Sequence, residues 1–551
     1  MKYHTTLVIN VTFLFSYICP LAKTEVYTAI ADLGQLLDTD REIIKALENY
    51  LAIEQERITN VRWLKEQFEK VYKTANQDEE SFLTNPINAF LLVKRLSEDW
   101  QTTNRIIEAA TSKVMVQNVS YSGLLFPDRE DLSGAATALL RLQDTYLLET
   151  SQLARGEIEG AKSRSLEFTA GDCFQLGYQA VALEDYKRAI QWLEEALDRL
   201  EREELKSANK PSILEFLAHC AFKLNNVKHA IKITRQLLAI APTHPRAHDN
   251  LLHYESVLNT KGDTAFSEED YDDYSAYYSE YEESDEHDSH SLRALKRALI
   301  PAFDNYEKLC RGEHIRSYLE ESRLKCRYTT NNNNYLLLQP VKQEILSLDP
   351  FICMFHDVIS DKDIELFKQI ALPLLERATV TNPKSGVLET ATYRVSKSAW
   401  LKDVVHPRIA HASQVVKDIT GLETSTAEEL HIINYGIGGH YEPHYDFKKK
   451  GEADGFAHLG TGNRIATWIY YLSDVDAGGA TVFPKVGVSV KPRKGSAAFW
   501  YNLRQNGEGD LNTIHAACPV LSGSKWAPFS EESNPTDSDD QAIGIESIHT
   551  D

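Results

Sequence analysis

Tyr435-Gly-Ile-Gly-Gly-His-Tyr-Glu-Pro-His-Tyr-Asp-Phe447 is the stretch on which the reading of this chain turns. Its glycines and proline mark tight turns beside an extended segment. His444 and Asp446 stand two residues apart, and side chains two apart in a strand share a face, so both can point at one place. His515 lies far downstream, and Lys525 follows it by ten residues. A ligand delivered by a different strand explains the long gap. Two neutral imidazoles and one carboxylate are the ligand set of non-haem Fe(II) oxygenases, and they leave positions open for substrate and oxygen. A lysine beyond the second histidine can then hold the far carboxylate of a keto-acid cosubstrate. The expected metal ligands are therefore His444, Asp446 and His515, with Lys525 completing the catalytic set. A His-x-Asp pair alone says little, since His549 and Asp551 form another in a polar tail, where no metal is expected. Histidines that only hydrogen-bond in a core, or a zinc hydrolase using the same three ligands, are the alternatives.

The surroundings favour a sheet. Arg464-Ile-Ala-Thr-Trp-Ile-Tyr-Tyr-Leu472, Gly479-Ala-Thr-Val-Phe483 and Gly495-Ser-Ala-Ala-Phe-Trp-Tyr501 are β-branched or aromatic runs bounded by Gly, Pro, Asp and Asn. Short strands so closely spaced predict a sandwich or jelly roll.

Upstream the chain is helical. Leu37, Ile44, Leu51 and Ile58 recur every seven residues between Val26 and Lys73, with Leu33, Leu47, Val61 and Phe68 on a companion seam. That pattern predicts a coiled-coil-like helix; a stripe packed on its own domain is the alternative. Residues 168–257 read as helix pairs of tetratricopeptide length: Cys173–Leu183 with Tyr186–Leu200, then Ile213–Leu224 with Val227–Ile240, Pro242 closing the second pair and Pro245 opening a further helix to Leu258. Stacked repeats of this kind offer a concave surface for extended peptides. Residues 263–290 crowd Asp and Glu around Tyr271, Tyr274, Tyr277, Tyr278 and Tyr281, which reads as a solvated linker with candidate sulfation sites. A basic amphipathic helix is expected from Leu292 to Leu309.

A net charge of −22 argues against nucleic acid as a partner. Lys2 and His4 precede an apolar run from Leu7 to Ile18 with Ala22 near a cleavage point, the pattern of a signal peptide. That run is too short to span a bilayer, and no later segment is a membrane-helix candidate. The mature chain is expected in a compartment where disulfides form, without Cys19. Asn118-Val-Ser120 is a possible glycosylation site, and Asn10-Val-Thr12 would leave with the signal.

The densest runs, Gly460-Thr-Gly-Asn-Arg-Ile-Ala-Thr467, Ala477-Gly-Gly-Ala-Thr-Val-Phe-Pro484, Phe499-Trp-Tyr-Asn502 and His515-Ala-Ala-Cys-Pro-Val520, make the chain similar to the α subunit of collagen prolyl 4-hydroxylase over nearly its whole length. The resemblance implies an α+β multidomain protein: a signal peptide at 1–22, a helical dimerisation region at 23–150, a TPR-like peptide-substrate-binding domain at 165–258, an acidic linker at 259–291, a helical segment at 292–345, a double-stranded β-helix (jelly roll) dioxygenase domain at 346–530 and an acidic tail at 531–551. It implies hydroxylation of peptidyl proline at C4 with Fe(2+), 2-oxoglutarate and O₂, with L-ascorbate restoring oxidised iron. Tyr435 and Thr467 match positions around the cosubstrate carboxylate. Phe216, His219, Phe222 and Tyr254 match inner groove positions, where aromatic faces suit proline rings; repeat core is the alternative for Phe216 and Phe222. Cys310 and Cys326 resemble a disulfide pair of the family, Cys173 and Cys220 read as buried thiols, and Cys353 has no assigned role. The implied partners are protein disulfide isomerase as β subunit and a second α chain within a heterotetramer. Protein disulfide isomerase would retain the chain in the endoplasmic reticulum lumen, for no Lys-Asp-Glu-Leu-type signal ends it.

The chain departs from that pattern after Lys525-Trp526. Where a second Lys-Trp, a further histidine and a terminal cysteine are expected, it reads Ala527-Pro-Phe-Ser-Glu-Glu-Ser-Asn-Pro535, with Glu531 in place of the tryptophan and Ser533 in place of the histidine. Pro528 disfavours a central strand, so a short or missing last strand is expected. Cys518 is expected to lose its disulfide partner, and use of 2-oxoglutarate to weaken. A catalytically impaired peptide-binding or assembly subunit is therefore the second class of function.

Overall fold

A computed structural model describes residues 30–108, 129–160, 165–261, 296, 300, 302–381, 388–449 and 462–533. The signal peptide, Asn118, the linker tyrosines and the chain after Ser533 lie outside the described residues. Contacts divide the chain into two units, one of Met1–Lys73 with Gln101–Leu124 and one of Thr74–Trp100 with Leu125–Asp551.

Helix α1 (Ile30–Ala75) makes most of the described part of the first unit. Leu51 and Ile58 of the seven-residue stripe are exposed at 64% and 44%, so that part of the seam is not buried within this chain. In the second unit a short helical turn at Glu79–Leu83 precedes α2 (Pro86–Lys94), which is started by Asn85 capping and a proline at the first helical turn. Helix α3 (Arg129–Tyr146) follows.

Five helices form the repeats: α4 (Ala170–Ala182), α5 (Tyr186–Arg202), α6 (Lys210–Lys223), α7 (Val227–Ile240) and α8 (Ala247–Lys261). The two intra-pair turns use the same chemistry. Glu184 and Asn225 take left-handed backbones, and Asp185 and Asn226 then cap the next helix through their side chains. Gly177 lets α4 and α5 approach closely, since a Cβ there would fall 2.8 Å from Leu193. One core runs from Ile87 and Phe90 through Leu139, Leu176, Trp192 and Leu217 to Ile233, so α2 and α3 share their apolar interior with the repeats.

The C-terminal part is β-rich. Helix α9 spans Phe303–Cys310 and starts after Ala302, which is left-handed; most of the helix expected from Leu292 lies outside the described residues. The strands of the two larger sheets are β1 (Cys326–Thr329), β2 (Val341–Leu348), β3 (Phe351–His356), β4 (Glu376–Arg377), β5 (Arg394–Val395), β6 (Lys397–Leu401), β7 (Leu430–Tyr435), β8 (His440–His444), β9 (Arg464–Tyr470), β10 (Thr481–Phe483), β11 (Val488–Val490), β12 (Ala497–Tyr501), β13 (His515–Ala517) and β14 (Lys525–Ser533). Among the described residues they form a nine-stranded sheet, β1-β2-β3-β12-β9-β14-β7-β6-β4, and a five-stranded sheet, β11-β10-β13-β8-β5. Two antiparallel sheets of this kind are the architecture of a double-stranded β-helix. Helices α10 (Asp361–Ala371) and α11 (Pro407–Thr420) cover the outer face of the larger sheet, burying Ile364, Phe367, Ile409 and Val416 against Ile432 and Trp468.

Two expectations are corrected here. The last strand is neither short nor missing: β14 is nine residues long and lies between β9 and β7. Its ladder to β7 runs from Lys525 to Phe529 and its ladder to β9 starts at Phe529, so Pro528 sits at the hand-over, before pairing with β9 begins. A residue without an N–H is tolerated where one side of the ladder is still unformed. The disulfide joins Cys310 to Cys518, not to Cys326, which is free and exposed. Cys518 therefore has a partner although the terminal cysteine is lacking. The pairing that the resemblance implies gives way here because α9 packs on the small sheet beside Ala480, Val482 and Ala516, next to Cys518. A link closing 208 residues stabilises by about 5 kcal/mol in the chain-entropy model. Mass spectrometry of a non-reduced digest should yield a Cys310–Cys518 cross-linked peptide; a Cys310–Cys326 peptide would contradict the fold.

Candidate metal and cosubstrate site

His444 ends β8, and Asp446 lies just beyond it in a bend. The alternation that places residues two apart on one face thus carries only the first of them. A register irregularity between Tyr441 and His444 turns the end of the strand inward. His515 opens β13, which pairs with β8 so that His444 and His515 are directly opposite. The ligand atoms of His444, Asp446 and His515 all lie within 4.8 Å of one another. Asp446 Oδ1 is 3.5 Å from His444 Nε2, and Oδ2 is 3.4 Å from His515 Nε2.

The tautomers are fixed from behind. His444 Nδ1 donates to the Glu442 carbonyl at 2.8 Å, and His515 Nδ1 to the Thr513 carbonyl at 3.1 Å. Each ring therefore presents a bare Nε2 lone pair to the carboxylate. The His515 Nε2 is buried with no hydrogen-bond partner. Burial lowers the His515 pKa to about 4 against the opposing pull of Asp446. Asp446 is held below the usual carboxylate range: burial pushes it up, but the electrostatic pull of His515, His444 and Arg464 outweighs that. Three converging acceptors with no proton between them repel one another unless a cation lies among them. A divalent, nitrogen- and oxygen-seeking metal fits this set.

The supports of Asp446 correct one expectation. Thr467, on β9, donates to Asp446 Oδ2 at 2.7 Å and accepts from Asn502 at 2.8 Å. Its hydroxyl is committed to the carboxylate ligand rather than to a cosubstrate. Arg464 pairs with Glu428 through both carboxylate oxygens and donates to the Asp446 carbonyl at 3.4 Å. Tyr441 stacks on His444 with ring centroids 3.5 Å apart, and the Arg394 guanidinium lies 5.0 Å over Tyr441.

Lys525 is 2% exposed on β14, directly across from Tyr435 on β7. Its ammonium donates to Thr481 Oγ1 at 3.1 Å and, among the described residues, has no carboxylate partner. Desolvation lowers its pKa to about 7. The Tyr435 and Tyr471 rings flank it at 5.5 and 5.7 Å, and the buried Tyr435 hydroxyl lacks a partner among the described residues. A buried cation beside an orphaned hydroxyl is costly alone and is satisfied by a carboxylate. The residues thus fit a keto-acid whose far carboxylate meets Lys525 and Tyr435.

The groove residues are separated by burial. Tyr254 is buried and stacks on Phe222 at 4.5 Å, while Phe216 meets Phe174 and Tyr178 edge-on. His219 contacts Tyr186 at 6.0 Å. Tyr254 is therefore core in this chain. Tyr178, 46% exposed, is an aromatic of this surface that pattern reading missed. Thr481 and Asn502 were missed too; both sit in the runs of strongest resemblance, which was the available signal. His440 is buried and His431 stacks on Trp400, both outside the cluster.

Two histidines and one carboxylate converging between the strands of a double-stranded β-helix, with a buried lysine nearby, define the class of Fe(II)/2-oxoglutarate oxygenases. Comparison with known proteins narrows the class. Residues 29–160 match the N-terminal region of the prolyl 4-hydroxylase α subunit, 170–260 its peptide-substrate-binding domain, and 430–529 the 2OG-Fe(II) oxygenase superfamily. The chain is 42% identical over 508 residues to human prolyl 4-hydroxylase subunit alpha-1, covering 92% of this chain and 93% of that one. It is 41% identical over 519 residues to subunit alpha-2 of Caenorhabditis elegans, covering 92% and 91%. A viral collagen prolyl hydroxylase from Paramecium Bursaria Chlorella virus-1 matches 33% of this chain and 96% of its own at 21% identity, with a TM-score of 0.27. The chain belongs to the prolyl 4-hydroxylase α-subunit family. It is a 2-oxoglutarate- and Fe(II)-dependent prolyl 4-hydroxylase α subunit, and nothing in the comparisons favours the impaired alternative.

The supports of the two halves of the site are separable. Thr467→Val should weaken metal binding on the order of tenfold, as loss of a group orienting a ligand does. Thr481→Val should leave metal binding unchanged and weaken 2-oxoglutarate binding. Calorimetric titrations of each variant check both; the reverse pattern would contradict these assignments.

Proposed function

We propose that this chain hydroxylates peptidyl proline at C4 in collagen-like or other proline-rich polypeptides, with His444, Asp446 and His515 holding Fe(II) and Lys525 and Tyr435 holding the far carboxylate of 2-oxoglutarate. Bound iron and 2-oxoglutarate with O₂ supply the oxidation, giving succinate and CO₂ as by-products. The protein's part is placement. Backbone carbonyls of Glu442 and Thr513 hold both rings in the metal-binding tautomer, and Thr467 and Arg464 hold Asp446. Lys525 is kept dry, so its attraction to an anion is little screened. The repeats would hold the peptide away from the iron through aromatic faces. L-Ascorbate would serve to restore iron, as in the resembled family.

We also propose that the chain works in the endoplasmic reticulum lumen with protein disulfide isomerase as β subunit, and that the exposed seam of α1 is where two α chains meet. The apolar N-terminus and the cross-linked Cys310–Cys518 support a secretory location. No helix among the described residues is long and apolar enough to cross a membrane.

The observation that carries the proposal is the meeting of two bare imidazole nitrogens and one carboxylate, with an unpaired buried lysine nearby. The co-expressed complex, given Fe(II), 2-oxoglutarate and a proline-rich peptide, should add one oxygen atom to proline, read by mass spectrometry. His515→Ala should abolish that product; turnover surviving in this variant would overturn the ligand assignment.

The lysine gives a pH signature. With its pKa lowered to about 7 when unliganded, Lys525 is largely neutral above that pH, and binding a carboxylate must draw in a proton. Affinity for 2-oxoglutarate should fall as pH rises past about 7, approaching tenfold per pH unit. Lys525→Gln should bind weakly with a flat profile between the same limits. A flat wild-type profile would contradict this electrostatic account.

A further inference from the structure

Helix α3 has two working faces. On one, Ser133 Oγ donates to Gln179 Oε1 and Gln179 Nε2 donates to Thr137 Oγ1, both at 3.1 Å, and Asp144 pairs with Arg188 at 2.7 Å. The Trp192 indole N–H also donates to Gln143 at 2.9 Å. These partners belong to α4 and α5, the first pair of repeats. The spacing 133, 137, 144 is that of one helical face.

The adjacent face carries Ala138, Arg141 and Thr145, again at helical spacing. It meets the turns next to the two ligand-bearing strands. Gly438 lies two residues before β8, and a Cβ there would fall 2.7 Å from the Ala138 Cβ. The half-buried Arg141 guanidinium donates to the Gly438 carbonyl at 3.1 Å. At the end of the helix, Tyr146 donates its hydroxyl to the Pro519 carbonyl at 2.5 Å, two residues beyond β13. Arg311, next to the disulfide cysteine, donates to the Thr145 carbonyl at 3.2 Å. One helix thus grips the entry to the strand of His444 and the exit from the strand of His515.

We infer that α3 is a positioning strut: it sets the spacing of β8 and β13, and so of the three ligands, and fixes that pair of strands to the peptide-binding repeats. The N-terminal region then has a second task besides pairing chains, for its last long helix belongs to the scaffold of the metal centre. This rests on reading His444, Asp446 and His515 as the metal site. Arg141 and Tyr146 act through backbone carbonyls and touch no reacting atom, so they are positioning residues. Hydrogen bonds to turn carbonyls that are partly shielded from solvent, as these two are, restrain the turns more than fully exposed contacts do, because water replaces a lost partner less readily.

The test is anaerobic titration of the full-length chain with Co(II), followed by its visible absorption, which reports both affinity and ligand geometry without turnover. Arg141→Met should weaken Co(II) binding roughly tenfold and alter the spectrum, the size of effect seen when groups behind ligands are lost. Arg141→Lys should restore much of it. Tyr146→Phe deletes one hydroxyl and should weaken binding a few-fold. Gly134→Ala, on an open part of the same helix, should change nothing. Binding of a proline-rich peptide to the repeats should be unaltered in every variant, which separates a displaced strut from a misfolded one. If Arg141→Met does not fold, Tyr146→Phe decides. Variants that bind Co(II) like wild type with the wild-type spectrum would overturn the strut. Failure of the wild type itself to bind Co(II) would instead remove the metal site on which it rests.

Discussion

The constraint on which this structure depends is the forced meeting of acceptors. Two imidazole nitrogens, their rings' protons held by the carbonyls behind them, face the two oxygens of one carboxylate that is itself buried. Such an arrangement is unfavourable in isolation and favourable around a cation. The protein sustains it by tying each ligand from behind. Thr467 is in turn tied by Asn502, and Asn502 accepts from the Trp500 indole, so the carboxylate rests on a chain of buried hydrogen bonds across β9 and β12.

The same logic recurs at Lys525. A buried ammonium with one hydroxyl and two aromatic rings for company leaves an electrostatic demand that an anion would meet. Metal and keto-acid sites thus complement one another: each is incomplete in charge, and a chelating dianion on a divalent ion would complete both. The outer face of the small sheet carries the mechanical counterpart. There α9, cross-linked through Cys310 to the turn after His515, and α3, gripping two turns, hold the strands that the ligands sit on.

Much of this was legible in the chain because it is local. The glycine- and proline-marked turn before His444, the strand-like runs after it and the repeated helix pairs announce themselves within ten or twenty residues. Three things were not. Asp446 shares a site with His444 through a strand irregularity and a bend, which alternation does not anticipate. Pro528 argues against a central strand locally, yet the strand forms because its neighbours hand over at that residue. Cys310 finds Cys518 across 208 residues rather than the nearer Cys326, since tertiary packing and not sequence distance chooses the partner. Thr481 and Asn502 were missed for the same reason: threonine and asparagine in strands are commonplace until a distant lysine or carboxylate gives them work.

The most direct test of the central claim is a titration of the purified protein with Fe(II) in the absence of oxygen. The account predicts one equivalent taken up per chain, with most of that uptake lost when Asp446 becomes asparagine. Uptake that is absent, or that is indifferent to Asp446, would contradict it.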